Sequence, residues 1–197
     1  MGVVNWPTDI RIGSFDAGVE YNVQINTFRN GSIQTYGLPG GRWVVAVGFE
    51  SEVEQMQRPK IEALIVDLEG GANRLLMHHH GRPLPNGSLR GAPVLNANAP
   101  QGSKSVVLAT VNGTLLRGDI IGILGQSVMV TADTAPSGGT MTVNFKPALR
   151  NFVPIGTAVV WNKPSAYYIP RSPIAGPFPF RQGGVRPGFS VDFVEHF

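Results

Sequence analysis

From residue 19 the chain alternates, with Tyr21, Val23 and Ile25 apolar and Asn22, Gln24 and Asn26 polar between them. A period of two places successive side chains on opposite faces, so residues 19–29 read as a half-buried strand. Asn30-Gly31 follows, the favoured two-residue hairpin turn because both central positions need positive φ. Residues 32–36 are then the return strand. Gly37-Leu38-Pro39-Gly40-Gly41 breaks the pattern, and alternation resumes over residues 42–50, with Trp43, Val45, Val47 and Phe49 on one face. Three consecutive strands predict a β-meander.

The period then changes. Ile61, Leu64, Ile65 and Leu68 follow the i, i+3, i+4, i+7 rule and form one apolar stripe, which predicts a helix over about 52–69. Ser51 with Glu54 has the spacing of a capping box, Pro59 suits a first turn, and Gly70-Gly71 suits the C-terminal stop. After an irregular stretch with a short strand at Leu75–Met77, composition shifts near Ala92. Residues 106–111, 120–124, 127–132, 140–145 and 158–161 read as five short strands. Asn112-Gly113, Gly125-Gln126, Pro136-Ser137-Gly138-Gly139 and Pro154-Ile155-Gly156 separate them, a spacing that suits a small barrel or sandwich. At the end, Phe189, Val191 and Phe193 alternate with polar neighbours and require a sheet. The simplest home is the first sheet. The expected class is therefore mainly β: a sandwich-like domain with one helix, residues 1–91 plus 164–197, carrying an inserted β-rich domain at 92–163.

Composition narrows the function. Gly (25) and Pro (16) make up about a fifth of the 197 residues, enough for many turns and too little for a disordered polymer. Hydrophobic residues are 42% and charged residues 15%, which gives a core and a sparsely charged exterior. There is no Cys, so disulfides and thiolate chemistry are excluded. No apolar run reaches membrane-spanning length and the first residues lack the pattern of a signal peptide, so synthesis in a cytoplasm is expected. Net charge is +3, unevenly spread: residues 1–70 hold five basic and nine acidic side chains (−4), residues 71–197 eleven and four (+7). Either the scatter has no consequence, or opposite lobes of neighbouring subunits meet. No Lys/Arg cluster interleaved with aromatics points to nucleic acid.

Catalytic patterns are missing. His78-His79-His80 is the most visible metal candidate, but adjacent histidines in regular structure do not converge on one ion. Asp119 and Asp133 are the acidic residues of the second unit and the only conceivable glycosidase pair there. Asp119 follows Gly118 at a turn into a strand, where Asp commonly bonds local backbone. Arg117-Gly118-Asp119 spells an adhesion tripeptide short enough to arise by chance. The expectation is no enzyme, no cofactor and no metal.

Several segments in order carry a resemblance. Residues 59–71, Pro-Lys-Ile-Glu-Ala-Leu-Ile-Val-Asp-Leu-Glu-Gly-Gly, are followed by Asn73-Arg74-Leu75-Leu76, by Pro85-Asn86-Gly87 and by Arg90-Gly91. Then come Leu116-Arg117-Gly118-Asp119 turning into a strand, residues 140–150 ending Lys-Pro-Ala-Leu-Arg, residues 157–164, and the closing Phe189-Ser190-Val191-Asp192-Phe193-Val194-Glu195. This order, from about residue 40 to the end, resembles the distal tail proteins of long-tailed bacteriophages.

The resemblance implies a structural virion protein, a ring usually of six copies at the end of the tail tube. The first domain with the closing strand would form the ring, and the inserted domain would project outward. Implied partners are further copies of the chain, the tail-tube protein, the tail-tip hub, and fibre or receptor-binding proteins; sequence-specific nucleic acid and membrane are not among them. The expected location is the virion tail tip, after synthesis in a bacterial host. Aromatics beside prolines or near the chain's ends, Trp6, Phe178, Phe180 and Phe197, are the interface candidates. Two other readings stand beside this one: another tail or head–tail joining component, or a carbohydrate-binding module presenting Trp161 and Tyr167 for stacking.

Overall fold

The computed structural model describes residues 1–37, 40–49, 57–172 and 188–197, and the fold is mainly β. In chain order the first elements are β1 (Val3–Asn5), β2 (Ser14–Glu20), β3 (Val23–Thr27), β4 (Ile33–Gly37), β5 (Arg42–Phe49), α1 (Arg58–Asp67) and β6 (Arg74–His78). There follow β7 (Val94–Leu95), β8 (Ser105–Ala109), β9 (Ile120–Ile123), β10 (Gln126–Val130), β11 (Thr140–Lys146) and β12 (Val159–Val160). The chain closes with β13 (Ser165–Pro170) and β14 (Phe189–Glu195).

The first sheet has the order β1-β6-β13-β14-β5-β2. Its β1–β6 pair is parallel, and its other pairings are antiparallel. The alternation over β5 turns Trp43, Val45, Val47 and Phe49 into the core, each at most 5% exposed. Helix α1 lays Ile61, Leu64, Ile65 and, just beyond its end, Leu68 into the same core as Leu75, Met77, Tyr168 and Phe193. Pro59 occupies the first turn, where a missing N–H is harmless. The stop is a 3-10 turn over Glu69–Gly71, with Gly70 and Gly71 at φ 64° and 107°. The expected start near 52 and the Ser51–Glu54 capping box lie outside the described residues.

The second sheet has the order β12-β9-β10-β11-β8-β7 and is drawn from residues 94–160. Its two edges approach each other: Val94 of β7 bridges Ala158 beside β12, so the sheet nearly closes into a barrel. Inside lie Leu108, Ile121, Val128, Met141, Val143 and Phe145, and the cluster also takes in Leu89 from the preceding loop. The β9–β10 turn is a tight one, with Leu124 at φ 48° and Gly125 at φ 76°. The two cores touch where Ile120 and Met129 reach from the second sheet into the cluster of the first.

Two expectations need correction. The first three predicted strands do not form a meander. Among the described residues, strands β3 and β4 pair only with each other, whereas β5 pairs with β2 and β14. The predicted strand from 19 to 29 is split at Tyr21-Asn22, and its second part is exposed throughout rather than half-buried. Alternation records that a strand has two unlike faces; it does not record whether anything covers the apolar one. The turn also differs. Only Gly31 has positive φ (79°). Gly31 N–H donates to Phe28 O (3.0 Å) and Phe28 N–H to Ser32 O (2.9 Å). The loop is thus a type I turn over residues 28–31 with a Gly bulge, one residue longer than the Asn-Gly turn. Asn30 is retained for its side chain, whose Oδ1 accepts from Ser32 N–H (3.0 Å) and from Ser32 Oγ–H (2.7 Å).

Candidate functional site

The β3–β4 ribbon is the part of the described structure that its own fold leaves uncovered. Cross-strand pairing sets Val23 opposite Gly37, Ile25 opposite Thr35 and Thr27 opposite Ile33. Pleating then puts these six on one face, and Gln24, Asn26, Gln34 and Tyr36 on the other. Every residue of both strands is exposed, with Ile25 at 64% and Ile33 at 67%. Phe28 at the tip and Tyr21 at the root add two more exposed rings. A two-stranded ribbon without a covering layer is marginal in water, and both of its outer edges offer unpaired backbone groups.

The root of this arm, by contrast, is tied down. Glu20 accepts from Arg42 Nε at 3.2 Å and faces Arg171 Nη2 at 3.4 Å. A Cβ on Gly41 would meet the Tyr21 ring at 2.6 Å, so only glycine lets that ring lie against the backbone. Arg150, from the loop after β11, donates to Gly40 O (3.0 Å) and Gly41 O, and its guanidinium lies 3.8 Å from the centroid of the Phe197 ring.

Beside this root a buried polar junction joins the two sheets. Glu195, 3% exposed at the end of β14, accepts Trp43 N–H at 3.0 Å and Ser127 N–H at 3.1 Å, one from each sheet. Trp43 Nε1–H donates to Ser127 O at 2.8 Å. Burial pushes the Glu195 carboxyl up to about 7, against the two backbone donors and the Arg150 charge, which pull it down. Burial, then the Glu195 charge, also raises Tyr168. Burial lowers Arg150, with Glu195 opposing. Nothing in the local sequence marks Arg150 or Glu195; only the fold brings residues 43, 127, 150 and 195 together.

The interface candidates read from sequence fare unequally. Trp6 is half-buried, stacked on Phe49 (6.4 Å, 3°) and edge-on to His80, so its ring serves the first core. Phe197 is 38% exposed but has one face taken by Arg150. Phe178 and Phe180 lie outside the described residues. Trp161 donates from Nε1 to Gly91 O (2.8 Å) under the Arg90 guanidinium, and Tyr167 lies under that of Arg74.

The polar candidates are structural. Asp119, 2% exposed, accepts from the backbone N–H groups of Asn86 (2.7 Å), Gly87 (3.1 Å) and Leu116 (2.8 Å), so its carboxylate ties the 85–87 loop to the turn into β9. Asp133 accepts from Arg117 N–H (2.7 Å). The three histidines line an aromatic corner. His79 meets Phe15 and Trp43 edge-on, and His80 meets Trp6 and Phe15. Burial first, then neighbouring positive charge, drives both His79 and His80 down to about 4. An open cleft of about 310 Å³ beside them is lined by Ile10, Ile12, Phe15 and His80 among others. Among the described residues no group of His, Cys, Asp or Glu is placed to hold a metal ion, and no helix is long and apolar enough to cross a membrane. No protein-family model matches the chain, and no curated protein matches it.

Proposed function

We propose that this chain is a non-catalytic structural subunit that assembles through its β3–β4 arm, and that the assembly is the ring adaptor of a phage tail tip. One observation carries the assembly reading: a hairpin whose β-branched face is built and left bare. Val23, Ile25, Ile33 and Tyr21 together offer on the order of 400 Å² of apolar surface, the size of patch that on a monomer commonly marks a contact site; covering it is worth about 10 kcal/mol before ordering costs. The occupant is another copy of the chain, met head-to-tail: the ribbon's apolar face and free edges lie on a different surface of the neighbour, because like-on-like pairing would stop at a two-fold dimer whereas a head-to-tail contact closes a ring. The ordered run of segments described above supports the tail-tip assignment, with the tail-tube protein, hub and fibres as further partners.

The test is the symmetry and mass of the purified chain, by electron microscopy and native mass spectrometry, for the parent and for Ile25→Asp with Ile33→Asp. The expected result is a closed ring in the parent and monomer in the double variant. Since both positions are solvent-facing in the single chain, the variant should keep the parent's circular dichroism spectrum and unfold cooperatively, at a lower temperature than the assembled parent because it lacks the interface. A parent that stays monomeric at high concentration and on purified tails would refute the proposal, as would a ring that survives both substitutions.

A further inference from the structure

The arm springs from the first sheet, yet a side chain of the second holds it. Arg150 sits in the loop after β11. Its N–H donates to Gln126 Oε1 at 3.1 Å, and Gln126 Nε2–H donates to Ala148 O at 3.0 Å, so the backbone on either side of Arg150 is fixed within the second unit. From there the guanidinium reaches the carbonyls of Gly40 and Gly41, immediately before β5, with its flat face on Phe197. Both bonds leave from Nη2, whose two N–H groups take the successive carbonyls while the guanidinium plane lies on the ring, a flat stacking that a lysine does not reproduce.

The surroundings make this more than a surface contact. Two residues beyond Gly41, Trp43 bonds Ser127 of β10 through its indole N–H and Glu195 through its backbone N–H. The Glu195 charge in turn acts on Arg150. The strand leaving the arm is therefore gripped by the second unit at Gly40, Gly41 and Trp43. On the side of the first sheet the root is held by the β2–β5 ladder, which runs to Glu20 opposite Arg42, and by the ion pairs of Glu20 with Arg42 and Arg171, whose side chains are about half exposed and add little.

We propose that Arg150 latches the root of the arm to the second sheet, so that the arm's direction is set by the unit of residues 94–160 as well as by the sheet from which it springs. Its consequence rests on the reading of the ribbon as an assembly arm: whatever grips the second unit then also aims the arm. The geometric claim is independent of that reading.

The chain has no cysteine, so spin labels at Asn26→Cys on the arm and Lys104→Cys on the second unit report one distance without background. Labelled chain diluted in excess unlabelled chain removes contributions between copies. In the parent a narrow distance distribution is expected. Arg150→Ala should at least double its width, and Arg150→Lys, which keeps the charge and loses the planar group stacked on Phe197, should broaden it nearly as much. If Arg150→Ala does not fold, Arg150→Lys decides alone. A folded variant with the parent's width overturns the latch. That outcome differs from failure of the assembly reading, which is judged by mass on the arm-face variants and leaves this distance untouched.

Discussion

The dependence of stability on pH sets the histidine corner against the buried carboxylate, and the two have opposite signs. His79 and His80 have folded pKa values near 4, below the ordinary 6.5. The unfolded chain therefore takes up these protons first as pH falls, and stability present above 6.5 is lost on the way down to about 4. At 1.36 kcal/mol per pKa unit the full shift would be about 3 kcal/mol each, but both rings stay partly open to solvent and act on one another, and screening brings the pair to about 3 kcal/mol together. Glu195 runs the other way. Its folded pKa of about 7 lies above the ordinary 4.5, so the folded chain binds the proton first. Acidification from 7 to 4.5 then adds about 3 kcal/mol, which is lost again as pH rises. From these three groups the contributions nearly cancel, and the parent's stability should differ by less than about 1 kcal/mol between pH 4 and pH 7. Urea unfolding at fixed temperature between pH 4 and 8 reads each variant as a shift of midpoint at constant slope. His79→Phe with His80→Phe keeps the ring contacts and leaves the carboxylate alone, making the protein more stable at pH 5 than at pH 7.5. Glu195→Gln removes the opposing gain and should uncover an acid loss of about 3 kcal/mol. The exposed carboxylates are common to every variant and cancel in the differences. If the double histidine variant keeps the parent's pH profile, the assignment of the pH dependence to this corner is wrong.

Two local predictions follow from backbone geometry. Gly113 has φ 99°, and a Cβ there would collide with the carbonyl of Ser88, which is backbone and cannot swing away. Gly113→Ala should cost about 3 kcal/mol in thermal unfolding, and a loss under about 1 kcal/mol would contradict the close approach. Leu124 holds a positive φ of 48° in a tight turn while 55% exposed, so its side chain gains little and strains the backbone. Leu124→Asn should stabilise by about 1 kcal/mol, and a lowered unfolding temperature would show that the leucine packs usefully.

Where one face of an element met a core, the sequence was readable. Trp43 to Phe49 and Ile61 to Leu68 follow their periods because burial enforces them, and the strands of the second barrel are separated by turns that glycine makes possible. The arm was misread because Val23 and Ile25 carry the same period-two signal whether a layer covers them or not. The split at Tyr21-Asn22 and the longer turn at Gly31 depend on backbone register, which one extra residue changes without altering composition. β1, β13 and most of β2 were missed for another reason: Val3–Asn5 is too short to show a period, β13 ends in a proline, and β2, met only at Val19 and Glu20, is mostly exposed and holds Gly18. The junction of Trp43, Ser127, Arg150 and Glu195 was illegible for a different reason again. Its members lie up to 152 positions apart, and each alone is an ordinary residue at the end of a strand or in a loop.

The position of β14 has a consequence for synthesis. That strand lies in the interior of the first sheet, between β13 and β5, although it is made last of the described strands. β2 and β5 are complete by Phe49 and then wait about 140 residues for the neighbour that covers the other edge of β5, on the order of ten seconds of translation. The second barrel draws its strands from one continuous run and closes meanwhile. On the ribosome, then, the barrel is the first unit able to finish, and the sheet that bears the arm is completed around it.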